Sequence, residues 1–265
     1  MSVTYSLTEF FRVLDEVAPL KFSHKLIEQG SYDNSGILIK THDTLNGAIF
    51  SLDLSEKVLK RAKSLGVDTI VTHHPAIYMP IKCLDMDGVT KDVAMATATN
   101  KNIISMHLNL DVADGGIDMT LAQCLGAKEY EIIEKLDEAH GYGRKFTVPC
   151  LSLKNFVLSV KKNLNTKKVI YYGSKNTEIK SVASFCGGGA SSAVKAVEGG
   201  LKVDAVVTSD IAHHQIKYLC DMGVSVIIVP HYTAEEVGFR KFYEKVNAVV
   251  GKDIPIYYFD DKRFR

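Results

Sequence analysis

The chain has no dominant charge: its 265 residues carry 32 Lys+Arg against 31 Asp+Glu, a formal net charge of +1. Near-cancellation argues against a basic nucleic-acid track and against an acidic, solvating tail. Paired cysteines are missing too. The five cysteines (83, 124, 150, 186 and 220) are odd in number and widely spaced, with no Cys-x-x-Cys. That pattern opposes a disulfide framework or a thiolate zinc cluster and fits a reducing cytosol. No apolar run approaches the roughly 20 residues needed to span a bilayer, and the N-terminus lacks a basic-then-apolar signal pattern. There is no Pro/Ser-rich linker, no Gly-x-Ser-x-Gly elbow, no local cysteine-protease signature and no P-loop ending in Gly-Lys-Ser/Thr. What is present is an apolar share of 46% and a charged share of 24%, both close to globular averages. The expectation is a soluble, cytoplasmic, globular protein without a membrane segment.

Strands and helices alternate along the first half. Leu7, Phe10, Phe11, Leu14 and Val17 recur at helical spacing, and Pro19 punctuates the pattern. Asp33-Asn34-Ser35-Gly36 signals a turn before a short strand at 37–39. The run 48–52 ends at Asp53, and Ser55 then caps a helix that Gly66 closes. Thr69 to Thr72 is a strand that ends in His73-His74-Pro75. Residues 90–101 read as helix, and 102–106 as a strand running out through His107 to Asp111. This alternation predicts an α/β fold with mainly parallel sheets covered on both faces.

The second half repeats the pattern. The runs 182–187, 203–208 and 224–229 mirror the earlier strands, and His107-x-x-x-Asp111 lies 124 positions before His231-x-x-x-Glu235 at both ends. Internal duplication and the coincidence of short apolar strands both account for this. If duplicated, two similar lobes (1–125 and 176–265, joined by 126–175) set their strand ends toward a shared cleft.

The polar residues that follow these apolar strands are His73-His74, Asp111, Asp210 and His231. Open parallel sheets bind ligands beyond the carboxyl ends of their strands, and imidazoles with carboxylates suit Zn, Mn, Fe or Ni. Adjacent residues in an extended segment point oppositely, so His73 and His74 are expected to serve different ions. A helix beginning near Thr233 would bring His231 and Glu235 to one face, and a carboxylate such as Glu235 bridges cations in two-metal sites. A structural role is the competing reading for His107, and a solvated pair the competing reading for His213-His214. Gly187-Gly188-Gly189, followed by Ser191, suits either a phosphate at a helix N-terminus or close backbone packing. Tyr257 to Phe259, with the charged tail after it, reads as a final strand in preference to a base-stacking surface.

Taken together, these residues resemble the GTP cyclohydrolase I type 2 homologues, also called the Nif-three-like or Ngg-interacting-factor-like proteins. The likeness covers nearly the whole chain. Asp33-Asn34-Ser35-Gly36 is similar to the family's Asp-Asn-x-Gly. Residues 73–82 are similar to His-His-Pro-Leu-Ile-Phe-x-Pro-Leu-Lys, with Ala76 and Tyr78 as departures. His107 to Asp111 with Gly115-Gly116 resembles the His-Thr-Asn-x-Asp…Gly-Gly block. Thr208-Ser209-Asp210 followed by His214 resembles Thr-Gly-Asp/Glu, and Pro230 to Glu235 resembles Gly-His-Tyr-x-x-Glu. The resemblance implies a two-lobed Nif-three-like fold without an inserted domain, its metal cleft between the lobes at the strand C-terminal ends. It further implies a homohexamer, a trimer of dimers, and two divalent metal ions per chain held by His73, His74, Asp111, His231 and Glu235.

The function expected from these features is metal-dependent hydrolysis of a nucleotide-like or other small polar substrate. His74 and Asp111 would hold one ion, His73 and His231 the other, with Glu235 bridging and the ions acidifying a water. His107 and His214 are candidate catalytic residues that orient ligands or move protons. Gly187, Gly188, Gly189 and Ser191 are candidate substrate-binding residues. The alternative is a non-enzymatic, metal-stabilised ring serving as a regulatory binding or scaffolding module for protein or nucleic acid, partners that the net charge does not favour.

Overall fold

Two mixed sheets, each with its own helices, organise residues 5–264, the part of the chain that the computed structural model describes. The chain sorts into two compact units. One comprises the residues up to Ala113 together with Phe239–Asp261, the other Asp114–Gly238 with the residues after Asp261.

The first unit begins with α1 (Leu7–Val17), which buries Leu7, Phe10 and Leu14. Its start is fixed by a reciprocal cap: Ser6 Oγ accepts from the Glu9 N–H at 3.1 Å, and Glu9 Oε2 accepts from the Ser6 N–H at 2.8 Å. Pro19 then separates α1 from α2 (Leu20–Glu28). There follow β1 (Gly36–Ile39), β2 (Ala48–Ser51), α3 (Glu56–Leu65), β3 (Thr69–Thr72), α4 (Lys91–Ala98), β4 (Asn102–Ser105) and the short α5 (Leu108–Val112). As anticipated, Ser55 Oγ caps α3 by accepting from the Val58 N–H. Every residue of β2, β3 and β4 is buried, which is why these strands read as continuous apolar runs with no polar alternation.

The second unit contains α6 (Ile117–Cys124), β5 (Tyr130–Lys135), β6 (Gly141–Ser152), α7 (Leu153–Asn163), β7 (Ile170–Tyr172), β8 (Glu178–Ser184), α8 (Ala190–Glu198), β9 (Ala205–Thr208), α9 (His213–Asp221) and β10 (Ser225–Ile228). Residues 126–175, read from the sequence as a connector, thus supply three strands and a helix. The long α10 (His231–Val250) follows, and β11 (Ile256–Tyr258) is the expected final strand. Phe239–Asp261 groups with the first unit because β11 pairs in parallel with β2, Ile256 opposite Ala48. Among the described residues, no helix is long and apolar enough to cross a membrane.

The sheet of the first unit runs β1-β4-β3-β2-β11, and that of the second β5-β6-β8-β9-β10-β7. A common motif lies inside both. β2, β3 and β4 are mutually parallel, with β1 antiparallel beyond β4. β8, β9 and β10 are mutually parallel, with β7 antiparallel beyond β10. The repeat seen in sequence is therefore a repeat of topology, and both His-x-x-x-carboxylate segments leave equivalent strands, β4 and β10. Each sheet packs its own apolar layer: Ile49, Val58, Ala62, Ile70 and Ile103 in the first unit, Ala183, Val206, Leu219 and Val226 in the second.

Phe50 ties β2 to α10 within the first unit. Its ring is fully buried and lies 6.1 Å from Phe239, 5.8 Å from Phe242 and 5.4 Å from Tyr243. Phe50→Ala is expected to cost about 3–5 kcal/mol in equilibrium unfolding. A loss under about 1 kcal/mol would show that this aromatic cluster does not hold the element.

Candidate metal centre

The first unit gathers three histidines and a carboxylate where β3 and β4 end. Thr72 is the last residue of β3, and the chain then bends: the N–H groups of His73 and His74 both donate to the Leu52 carbonyl, at 3.1 and 3.0 Å. The bend corrects the expectation of opposed side chains, since extended alternation ends at Thr72. The two rings lie side by side, with centroids 4.8 Å apart. The segment after β4 also departs from a simple run-out. Its α5 turn lets the Asp111 N–H donate to the His107 carbonyl at 3.0 Å, and Asn109 anchors the turn by donating to the Ala18 carbonyl at 2.6 Å. Ligand atoms of His73, His107 and Asp111 consequently lie within 4.8 Å of one another. His73 Nε2 stands 3.6 Å from Asp111 Oδ1, both residues being buried.

Each of these imidazoles is oriented through its other nitrogen. His73 Nδ1 is 2.8 Å from the Met106 carbonyl, His74 Nδ1 is 2.7 Å from Asp53 Oδ1, and His107 Nδ1 is 2.7 Å from Asp33 Oδ1. A carbonyl oxygen only accepts, so His73 Nδ1 donates and its neutral ring carries the lone pair on Nε2. The carboxylates impose the same tautomer on His74 and His107. Asp33 is itself buried and accepts from Ser23 Oγ at 2.5 Å and Ser35 Oγ at 2.7 Å. Burial pushes its carboxyl up, but the His107, Ser23 and Ser35 hydrogen bonds together outweigh burial and hold it below the ordinary carboxylate value.

The second unit supplies a smaller set at the end of β10. α10 starts at His231, two residues earlier than expected, and places His231 Nε2 3.0 Å from Glu235 Oε2 across one turn. Pro230 fits this start because its carbonyl accepts from the Ala234 N–H while its missing donor lies outside the helix. His231 Nδ1 is 2.7 Å from Asp210 Oδ2, repeating the arrangement of the first unit. Gly187 has φ +55°, and a Cβ there would overlap Glu235 Oε1 and come within 3.3 Å of His231 Nε2. Gly189 has its own constraint, since a Cβ would overlap Phe185 and the Tyr142 hydroxyl. Close packing thus accounts for two of the three glycines. Ser191 Oγ, in the first turn of α8, accepts from Gln215 Nε2 at 3.2 Å. His214 is exposed in the first turn of α9 and is not among the residues gathered here.

Sequence reading singled out Asp210 but not the orienting roles of Asp53 and Asp33. Asp53 was visible only as the end of a strand run, and Asp33 only as part of a turn and of the Asp-Asn-x-Gly motif. Their partners lie 21 and 74 positions away, separations that no local spacing reveals. The buried Asp118–Arg144 pair, 3.0 Å apart, gave no signal at all.

Fold and donor set together define an α/β protein of repeated strand topology with histidine and carboxylate groups at its strand ends. The Duf34/NIF3 (NGG1p interacting factor 3) family model matches residues 5–262, and the chain belongs to that family. A "GTP cyclohydrolase 1 type 2 homolog" of Clostridium perfringens is 26% identical over 253 residues, covering 94% of each chain. A relative of the same name from Lactococcus lactis is 30% identical, covering 72% of this chain and 74% of its own. Among solved structures, the Staphylococcus aureus hypothetical protein SA1388 superposes with TM-score 0.84 at 25% identity, covering 99% of both chains. A Bacillus cereus protein related to NIF3 gives TM-score 0.87 at 17% identity, covering 98% of both, a likeness of fold alone.

Asp33 is lowered in the native state, so its stabilisation is complete above the unfolded-state value of about 3.9 and is lost as pH falls through the native value. Asp33→Asn should flatten the acid limb of stability against pH in chemical unfolding; an unchanged limb would remove Asp33 from the account. Gly187→Ala is expected to cost about 1–2 kcal/mol, whereas Gly188→Ala, with nothing within 4 Å of its Cβ position, should be near neutral. Equal costs for the two would contradict the packing argument.

Proposed function

We propose that the protein holds two divalent metal ions and uses them for hydrolysis of a nucleotide-like or other small polar substrate. The observation that carries this reading is the fixing of four histidines through Nδ1, by Met106, Asp53, Asp33 and Asp210. Metal-binding histidines commonly donate their second N–H to a carboxylate or carbonyl in this way. A neutral nitrogen and oxygen donor set suits Zn, Mn, Fe or Ni.

The 3.6 Å approach of His73 Nε2 to Asp111 favours placing those two on one ion, exchanging the assignment that put His74 with Asp111. The family resemblance assigns His74, His231 and Glu235 to the metal ions as well. Such ions, when bound, lower the pKa of water and stabilise developing negative charge. His107 Nε2, adjacent to His73 and Asp111, orients a ligand or carries a proton, with Asp33 holding its ring. Gly187, Gly188, Gly189 and Ser191 border the substrate phosphate in this reading. His214 is assigned no role here. The family resemblance further supports a cytoplasmic homohexamer, a trimer of dimers.

Elemental analysis of untagged protein, purified without added metal or chelator, tests the proposal against Glu235→Ala and His73→Ala/Glu235→Ala variants. About two transition-metal ions per chain are expected in the wild type, with loss in both variants and an unchanged oligomer. Wild-type protein that holds no metal even after reconstitution would overturn the reading.

A further inference from the structure

Cys186 is the buried member of the five cysteines; Cys83 and Cys150 are exposed, and Cys124 and Cys220 are half-buried. It lies two residues beyond the end of β8, in the position before Gly187. Its Sγ and a Glu235 carboxylate oxygen lie within 4.8 Å of each other. Metal–thiolate and metal–carboxylate bonds of about 2.3 and about 2.1 Å span almost that distance.

The backbone at Cys186 is held from several sides. The Phe185 N–H donates to the Val207 carbonyl at 3.0 Å. The Cys186 N–H donates to Asp118 Oδ1 at 3.4 Å, and the Cys186 carbonyl accepts a short hydrogen bond from the Tyr142 hydroxyl. Asp118 is in turn paired with Arg144 at 3.0 Å, both side chains being almost wholly buried. A buried ion pair is costly and weak evidence for stability, and here one of its oxygens receives the Cys186 N–H. Gly187 then turns the chain at φ +55° against Glu235 and His231. These contacts hold the main chain of Cys186 in place beside Glu235.

We propose that Cys186 is an additional ligand of the metal centre, contributing a thiolate beside Glu235. The inference rests on the dinuclear reading above. On binding, the S–H proton passes to solvent as the sulfur–metal bond forms. A thiolate added to imidazoles and carboxylates biases the centre toward Zn, Fe or Co and away from Mg and Mn.

Cobalt(II) reconstitution of the full chain separates the two proposals, because sulfur-to-cobalt charge transfer absorbs in the near ultraviolet whereas nitrogen and oxygen ligands do not. Bound cobalt is measured in parallel by elemental analysis. The wild type and a Cys83→Ser/Cys124→Ser/Cys150→Ser/Cys220→Ser variant should both show the band. Cys186→Ser should lose it while still binding cobalt, and Cys186→Ala gives a second variant in case serine disturbs folding. Cobalt bound without the band, or with a band that survives Cys186 replacement, overturns the thiolate assignment and leaves the metal centre standing. No cobalt bound in any form overturns both.

Discussion

The hydrogen bond made by each site histidine through Nδ1 is the constraint on which the rest of the arrangement depends. An imidazole presents a lone pair on one nitrogen only, and the partner of the other nitrogen decides which. Here the partners are a main-chain carbonyl at His73 and the carboxylates of Asp53, Asp33 and Asp210 at His74, His107 and His231. All four arrive from elsewhere in the chain, so the ring orientations are a product of the folded structure. Without these partners nothing would select which nitrogen of each ring carries the proton.

The repeated topology explains why such partners are available. In each unit three parallel strands end together, and chain segments leaving their carboxyl ends bring polar groups to one edge. β4 and β10 are equivalent strands, and each is followed by a histidine with a carboxylate four residues on in the helix that begins there. The copies have diverged in detail. In the first unit the histidine is backed by Asp33, before β1, and the carboxylate approaches a different histidine, His73. In the second the histidine is backed by Asp210, after β9, and meets its own Glu235. The two units share a strand topology and differ in the donor sets placed on it.

Much of this was legible in the sequence. The strands 69–72 and 102–106, the Ser55 and Gly66 boundaries of α3 and the final strand near Tyr257 follow from apolar runs and cap chemistry, which are local signals. The 124-residue offset exposed the repeat. What escaped was long-range or depended on backbone geometry. His73 and His74 share a bend because both N–H groups donate to Leu52, a contact that period-2 alternation does not anticipate. The pairing of Phe239–Asp261 with the first unit depends on β11 reaching β2. The glycine run suited either a phosphate site or close backbone packing, and the close approach of Glu235 and Phe185 accounts for Gly187 and Gly189. Asp118 and Arg144 lie in no recognisable motif; their pairing exists only in three dimensions.

The Nδ1 hydrogen bonds leave Nε2 as the nitrogen these histidines offer to a metal ion. A crystal of the metal-reconstituted protein, measured on both sides of the metal's absorption edge, shows which nitrogen binds. Anomalous peaks are expected about 2.0–2.1 Å from the Nε2 atoms of His73, His74 and His231, with the Nδ1 hydrogen bonds intact. Peaks at Nδ1, or no anomalous density beside these residues, would contradict the assignment to Nε2.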